Sequence, residues 1–252
     1  MTQWKDRARA SGLHLTISLC IASAAALLVF AVWYPYPYRE VSGGRELFLL
    51  VATVDVVLGP LITLAIFNRK KPRRELVMDV SVVACIQVAA LVYGLWTVAV
   101  ARPVHLVFEL DRMRVVHAIE IPEELLTQAP AGIHSEPWGG PTTLAVRPFQ
   151  DARESFDATI QALNGVPLGA RPDLWQSYEA ARPRVLAAAH PVESLRKSKS
   201  ADAGLIDVAL QKAGRDATNT LYLPMVSRKY FWTALLDAQT AEIVGYVPLD
   251  PY

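Results

Sequence analysis

The chain has little of what redox, metal or nucleotide chemistry requires. Its 252 residues include two cysteines, Cys20 and Cys85, and neither belongs to a CxxC pair. A thiol-redox or zinc role therefore has no support, and we interpret both cysteines as small packing residues. A nucleotide-binding glycine loop, an HExxH motif and a GxSxG motif are also missing. We expect no catalytic residue, no metal site and no cofactor, and we predict that the protein is not an enzyme.

A strong net charge is missing as well. The formal net charge is +1 at pH 7, which gives no indication of nucleic-acid binding. The average conceals a division of the chain. Long apolar runs fill the part up to about residue 103, whereas residues 104–252 have the charge density of a soluble domain. The composition therefore predicts a membrane part followed by a soluble part.

Three apolar runs in the first part are long enough to cross a membrane. They cover about residues 13–33, 47–67 and 76–101. A helix needs about twenty residues to cross the hydrocarbon core. Continuous apolar runs lack the alternation of barrel strands, and only helices or closed barrels satisfy the backbone in lipid. Buried helices of a soluble protein are the alternative, which fits poorly with three such runs so close together. We predict a three-helix transmembrane domain over residues 13–103.

Positive charges lie unevenly around these spans. They are concentrated before the first span and between the second and third, whereas the loop between the first and second balances two arginines with two glutamates. The positive-inside rule then places residues 1–12 in the cytoplasm. After three crossings residues 104–252 would lie in the periplasm, so we predict a multi-pass protein of the bacterial inner membrane. The charges behind this prediction are Lys5, Arg7, Arg9, Arg69, Lys70, Lys71, Arg73 and Arg74.

Residues 104–252 predict an extracytoplasmic α+β domain with a small antiparallel sheet. Residues 104–118 alternate as a strand does, and a turn near Asp111–Arg112 could fold them into a hairpin. Residues 229–237 and 243–249 predict a terminal antiparallel hairpin. Helices would be inserted between the two halves of the sheet.

The middle of this domain, about residues 121–217, is predicted to be mostly helical. Ala152–Leu163 places Phe156, Ile160 and Leu163 on one helical face. Residues 172–181 suggest a second short helix. Scattered histidines in the domain favour structural roles over catalytic ones.

Asp55 is the most unusual polar residue of the apolar part, because it lies near the middle of the second span. A carboxyl group at that depth costs about 2.5–3.5 kcal/mol on insertion scales, so it usually faces protein, water or a partner. Pro60 should kink the same helix and free a carbonyl group, and Gly59 leaves room for close approach. One interpretation is a polar contact with the helix of another protein. The other is internal stabilisation, with a protonated Asp55 bonded to Thr53, Gln87, Ser23 or Thr97 of its own bundle.

Three segments of the chain resemble the type IV pilin accessory proteins of the TfpX/TfpZ kind. They are WYPYPYREVSGGRELFLLVATVDVVLGPLITLAIFNRKKPRREL (residues 33–76), YGLWTVAVARPVHLVFELDRMRVV (residues 93–116) and LPMVSRKYFWTALLDAQTAEIVGYVPLD (residues 223–250). Residues 125–216 carry no matching motif. The resemblance implies an inner-membrane protein that assists a pilin during pilus assembly, and it carries over no catalytic residue.

We therefore predict a chaperone-like accessory factor for type IV pilus biogenesis. Its helices would hold the membrane helix of a major or minor pilin, and its outer domain would contact the pilin head. Other pilus assembly proteins and the lipid bilayer are further expected partners, and nucleic acid is not. The predicted contact residues are Asp55, Gly59 and Pro60 in the membrane, and Arg39, Glu40, Gly43, Gly44, Arg45 and Glu46 in the outer loop.

Two alternatives accompany this prediction. The outer loop could be a tight helix–helix turn that glycine caps and local ion pairs hold in place. The protein could also be a small oligomeric transporter or membrane enzyme that uses Asp55. Three spans are few for a transport path, and no inverted repeat is visible in the sequence.

Overall fold

The computed structural model of the chain describes residues 2–68 and 70–252. Arg69, one of the charges of the predicted cytoplasmic loop, lies outside the described residues. The chain forms two compact units. The helical unit consists of the described residues up to Pro35 and of Gly43–Ala101, and the sheet unit consists of Tyr36–Ser42 and Arg102–Tyr252.

Three long helices build the helical unit. Within the described residues each is long and apolar enough to cross a membrane, over Gln3–Trp33, Gly44–Ile66 and Arg73–Val100. The prediction of three apolar helices is thus confirmed. Two of them contain π-helical segments, Leu28–Trp33 and Val54–Leu58, where the backbone is wider than in an α-helix. In chain order the α-helices up to this point are α1 (Thr2–Leu27), α2 (Tyr38–Val41, in the sheet unit), α3 (Gly44–Thr53), α4 (Gly59–Ile66) and α5 (Arg73–Val100).

The helices begin earlier than the apolar spans that predicted them. The first starts near Gln3 rather than at residue 13, and the third at Arg73 rather than at residue 76. Lysine, arginine and glutamate are good helix formers, so a helix continues beyond the segment that hydrocarbon can cover. At the basic end of α5, Lys71 Nζ donates to Asp79 Oδ2 at 2.6 Å.

The sheet unit contains eight strands within the described residues, ordered β4-β3-β1-β2-β6-β7-β8, with β5 beside β6. Most neighbours are antiparallel, but β1 pairs with β3 and β2 pairs with β6 in parallel. The prediction of a small antiparallel sheet is therefore wrong in size and in direction. The strands are β1 (Pro103–Glu109), β2 (Arg112–His117), β3 (Thr142–Val146), β4 (Trp175–Ser177), β5 (His190–Pro191), β6 (Thr220–Val226), β7 (Phe231–Asp237) and β8 (Ile243–Val247).

Both predicted hairpins are present. β1 and β2 turn through Leu110, whose φ is 56°, and β7 pairs with β8 at the end of the chain. The strand β6 escaped prediction because Pro224 interrupts its pattern, and proline donates no ladder hydrogen bond. On one side β6 pairs with β5 through Leu221 and Tyr222 and with β2 through Met225 and Val226. Pro224 falls in the gap between these two partners, where no donor is needed.

The middle region contains fewer helical residues than predicted. The helix Ala152–Leu163 has the predicted bounds, with the Asp151 side chain accepting a hydrogen bond from Glu154 N at 2.8 Å. The predicted helix over residues 172–181 is wrong. A short turn, the strand β4 and only then a helix occupy that stretch, because Ser177 acts as the N-cap and starts the helix at Tyr178. The helices of this part are α6 (Ala152–Leu163), α7 (Tyr178–Ala188), α8 (Val192–Ser198) and α9 (Ala203–Ala213).

Both faces of the sheet are covered. Every residue of β1 is buried. Its Leu106 and Phe108 pack in a core with Tyr38 of α2 and Val185 of α7. Its Val104 and Val107 pack in a second core that includes Ala158 of α6 and the turn before β4. A third core joins α8 and α9 to β7 and β8.

The apolar face of α6 does not face this core. Phe156 is 64% exposed and Leu163 is 79% exposed, whereas Ala158 is fully buried. The helix therefore packs on the sheet through a small and polar side, which periodicity alone did not predict.

His105 of β1 has a structural role. Its Nε2 donates to Ser135 O at 3.0 Å, and its Nδ1 accepts from Thr142 Oγ1 at 2.8 Å. Its ring lies edge-on to Trp175, with 4.5 Å between centroids. Burial lowers the pKa of His105 to about 4, so the neutral imidazole links β1 to β3 and to the following loop near neutral pH.

Candidate functional site

Asp55 lies in the π-helical segment between α3 and α4 and is 8% exposed. Gln87 of α5 donates from Nε2 to the backbone carbonyl of Asp55 and to its Oδ1, both at 3.3 Å. The π-helical segment ends at Leu58, immediately before Gly59 and Pro60, so the helix is irregular next to the position where the sequence predicts a kink. Of the four internal partners that the sequence offered for Asp55, the structure selects Gln87.

Gly59 makes this contact sterically possible. A Cβ atom at this position would lie 1.8 Å from Gln87 Nε2. The missing side chain lets the amide of Gln87 lie against the backbone next to Asp55. Two of the predicted membrane residues, Asp55 and Gly59, are thus brought together around Gln87.

A row of polar contacts joins α1 to the second long helix. Ser11 Oγ donates to the carbonyl of Pro60 at 2.9 Å, and His14 Nδ1 lies 2.6 Å from Thr63 Oγ1. Pro60 thus takes part through its carbonyl oxygen. Such contacts hold apolar helices together where hydrophobic burial contributes little.

A cleft opens beside Asp55 between α1 and α5. We name it the Asp55 cleft, and its volume is about 160 Å³. Asp55 also lines a second groove of about 230 Å³ between α3 and α5. The Asp55 cleft is lined by His14, Ile17, Ser18 and Ile21 of α1, by Ala84, Gln87, Val88 and Leu91 of α5, and by Asp55 itself.

The predicted outer-loop residues do not line the Asp55 cleft. Some belong to the sheet unit and the others to the helical unit. Arg39 and Glu40 belong to α2, where Arg39 Nε lies 3.5 Å from Glu40 Oε1. Gly43 has φ of 76° and precedes α3, a conformation that favours glycine. These features fit the alternative of a turn with a glycine cap and a local ion pair. The remaining predicted loop residues, Gly44, Arg45 and Glu46, form the first turn of α3.

Gly44 also has a packing role in the helical unit. A Cβ atom on it would lie 2.3 Å from Cδ1 of Tyr34. Tyr34 is 1% exposed, and its hydroxyl donates to the carbonyl of Val98 at 3.1 Å. The start of α3 therefore depends on the absence of a side chain at Gly44.

Sequence reasoning did not foresee an aromatic cluster in the sheet unit. Tyr38 of α2 is buried and bonds to the hydroxyl of Tyr246, and the Tyr36 ring lies 6.3 Å from the rings of Trp232 and Tyr246. Burial raises the pKa of both Tyr38 and Tyr246. Val41 of α2 is also fully buried. Tyr36 and Tyr38 were the available signal, but nothing local indicated that a sheet far along the chain would pack against them.

The part of the chain that the structure describes contains no ready metal site. Among residues 2–68 and 70–252, no group of three or more histidine, cysteine, aspartate or glutamate side chains could hold a metal ion. Both cysteines are free and exposed on the long helices. What the described residues do offer is an apolar cleft with a buried carboxyl group, which is suited to binding.

The fold and the site define a protein with three potential membrane-spanning helices, an apolar cleft that contains a carboxyl group among them, and a unit built on a mixed sheet. The model of the fimbrial assembly protein FimB family matches residues 2–43. The fimbrial assembly proteins of serogroups I and E1 from Dichelobacter nodosus are each 35% identical to this chain over 247 residues, which is 97% of this chain and 96% of each relative. The chain therefore belongs to the fimbrial assembly protein FimB family.

A shorter relative agrees with this assignment. The fimbrial assembly protein of serogroups C1 and C2 from the same organism is 41% identical over 122 residues, which is 48% of this chain and 93% of the relative. No solved structure matches the chain. The predicted resemblance to a type IV pilus accessory family is confirmed, and these relatives support a role in fimbrial biogenesis.

Proposed function

We propose that the protein is a non-enzymatic, chaperone-like factor that contacts a type IV pilin in the bacterial inner membrane and assists its assembly into the pilus. The observation that carries the proposal is the match to fimbrial assembly proteins over nearly the whole chain. The Asp55 cleft adds a place where a side chain of a partner helix can bind. A pilin subunit waits in the membrane with one apolar helix across it, so a helper needs a contact within the bilayer.

The orientation belongs to the same proposal. The basic residues before the first span and those of the Lys70–Arg74 segment support a cytoplasmic location for these two parts. The sheet unit with α2 then lies in the periplasm, and the first turn of α3, with the exposed side chain of Arg45, lies at the periplasmic end of its helix. Both can contact the pilin head.

We expect a reporter domain that folds only outside the cytoplasm to be active when it is fused after Tyr252. The matched fusion in the basic loop, after Lys70, should be inactive because the positive charges retain that loop in the cytoplasm. Activity of the loop fusion alone would contradict the orientation.

Recovery of pilin with the purified protein tests the function itself. Asp55→Ala should reduce the recovered pilin by about tenfold, because a hydrogen bond in the membrane contributes roughly 1–2 kcal/mol. Arg45→Ala should reduce it less, since an exposed charge contributes little. Asp79→Ala removes a carboxyl group from α5, away from the Asp55 cleft, and serves as the control.

Each outcome of this experiment has a meaning. Equal recovery with all three variants removes Asp55 and Arg45 from the proposed contact. Absence of pilin even from the wild-type preparation, together with normal fimbriation of cells that lack the protein, would overturn the proposed function.

A further inference from the structure

We infer that the Asp55 cleft binds one nitrogen-bearing side chain, an amine, guanidine or amide, carried by the membrane helix of the pilin. The inference rests on the proposed function and adds the chemistry by which the cleft recognises its partner. It is carried by the size of the cleft and by the polar atoms that line it.

The volume suits a side chain and not a helix. The cleft holds about 160 Å³, and a cavity of roughly 150 Å³ accommodates a benzene-sized group. The partner helix would therefore pass along the outside, between Ile21 of α1 and Val88 of α5, and insert one residue. Ile21 is 41% exposed and Val88 is 59% exposed, so both are accessible to such a helix.

Asp55, one of the residues that line the cleft, has a carboxyl oxygen without a donor among the described residues. Oδ1 of Asp55 accepts from Gln87 Nε2, but across residues 2–68 and 70–252 no donor reaches Oδ2, although the residue is 8% exposed. A carboxyl group inside an apolar unit normally finds a partner, because a desolvated acceptor is costly. The open oxygen therefore points to a donor that this chain does not supply.

A second polar group that can accept a hydrogen bond, the hydroxyl of Ser18, also lines the cleft. Ser18 is 3% exposed, and its hydroxyl has no hydrogen-bond partner within the part of the chain that the structure describes. The neighbouring Thr16 on the same helix differs, because its Oγ1 donates to the carbonyl of Gly12 at 2.9 Å. The hydroxyl of Ser18 can therefore bond to a partner, whereas that of Thr16 already has a hydrogen bond within its own helix.

Together, the carboxyl group of Asp55 and the hydroxyl group of Ser18 favour a partner side chain with nitrogen donors. Asp55 Oδ2 and the hydroxyl of Ser18 both accept hydrogen bonds, and the carboxyl group favours a donor that is positively charged or strongly polar. An amine, guanidine or amide carries two or more N–H donors, so one such group in the cleft has a donor to offer to each acceptor. A purely apolar side chain would leave them unpaired, so the cleft discriminates between partner helices by this group.

Photocrosslinking of the full-length protein in its native membrane tests the inference. We expect a photoreactive residue at Ile21 or Val88 to capture pilin, at least about tenfold more than one at Ile86, which lies outside the cleft and is 65% exposed. Asp55→Leu should lower capture from Ile21 about tenfold, and Ser18→Ala about threefold. Thr16→Val is the matched control on the same helix and should leave capture unchanged.

The donor is then sought in the pilin. Each nitrogen-bearing side chain of its apolar helix is replaced by leucine in turn, and capture from Ile21 is measured with wild type and with Asp55→Leu. One replacement should lower capture by the wild type about tenfold and cause no further loss with Asp55→Leu. Ser18→Ala keeps the test valid if Asp55→Leu does not accumulate in the membrane.

Failure of the inference differs from failure of the function. Capture of pilin from Ile86 but not from the cleft, or equal capture by wild type, Asp55→Leu and Ser18→Ala, overturns the inference alone. The inference is also overturned if every pilin replacement lowers capture by the same factor with wild type and with Asp55→Leu, because no pilin side chain then depends on Asp55. Absence of capture from all positions, with fimbriation unchanged in cells that lack the protein, overturns the proposed function as well.

Discussion

Tyr38→Ala should destabilise the sheet unit by roughly 3–5 kcal/mol, the range for removing a large buried aromatic side chain. Tyr38 is 7% exposed and packs in one core with Leu106 and Trp232. Its hydroxyl also bonds to that of Tyr246, so the truncation leaves both a cavity and an unpaired polar group. Limited proteolysis of the full-length protein in detergent should show much faster cleavage within residues 102–252.

Arg39→Ala provides the control for this prediction on the same four-residue helix. The Arg39 side chain is 43% exposed, and its ion pair with Glu40 is close to solvent, so its loss should change stability little. Resistance of Tyr38→Ala to protease equal to that of the wild type would contradict the role of α2 in the core. A loss of pilin recovery with Arg39→Ala and unchanged stability would instead support a direct contact at Arg39.

Gly44→Ala should destabilise the helical unit by roughly 1–3 kcal/mol, the usual cost of overpacking. The added Cβ would lie 2.3 Å from Cδ1 of Tyr34, and the ring cannot easily move because it is buried and its hydroxyl bonds to Val98 O. Either the ring or the first turn of α3 must shift. Thermal unfolding of the detergent-solubilised protein, followed by helical circular dichroism, should show the lower midpoint.

Gly12→Ala is the matched control, because a Cβ at Gly12 meets no atom within 4 Å. Its unfolding midpoint should stay equal or rise, since alanine favours a helix more than glycine. Adding Gly44→Ala to a Tyr34→Ala background should cost little more, because the clashing ring is gone. If Gly44→Ala lowers pilin recovery without lowering the midpoint, Gly44 acts as a contact residue and not as a packing residue.

The parts of the fold that the sequence predicted are those with strong local patterns. Long apolar runs are sufficient for the three helices, and alternation around short turns is sufficient for the β1–β2 and β7–β8 hairpins. The strands β4 and β5 have three and two residues, too few for any periodicity to register. Their pairing depends on neighbours distant in sequence, which also explains the parallel pairs that were not predicted.

Some residues of the candidate site could likewise be predicted from the local sequence, and others only from the packing of the helices. Asp55 was identifiable because a carboxyl group inside an apolar run has a known energetic cost, and Gly59 because a glycine beside Pro60 leaves room for close approach. Gln87 was one of several polar residues within reach, and only packing selects it. Ser18 carries no local signal, because a serine in an apolar helix becomes informative only when the structure shows that its hydroxyl is unpaired.

The sheet unit is built from two segments that are far apart in the chain, and this has a consequence for biosynthesis. Residues 36–42 leave the ribosome long before β1, yet Tyr38 and Val41 belong to the core that β1 completes. Until α3, α4 and α5 and then β1 have been synthesised, the rest of the core is not available to cover these two side chains. A chain whose synthesis stops before β1 therefore leaves Tyr38 and Val41 unburied, so the sheet unit can fold only after every long helix before it has been made.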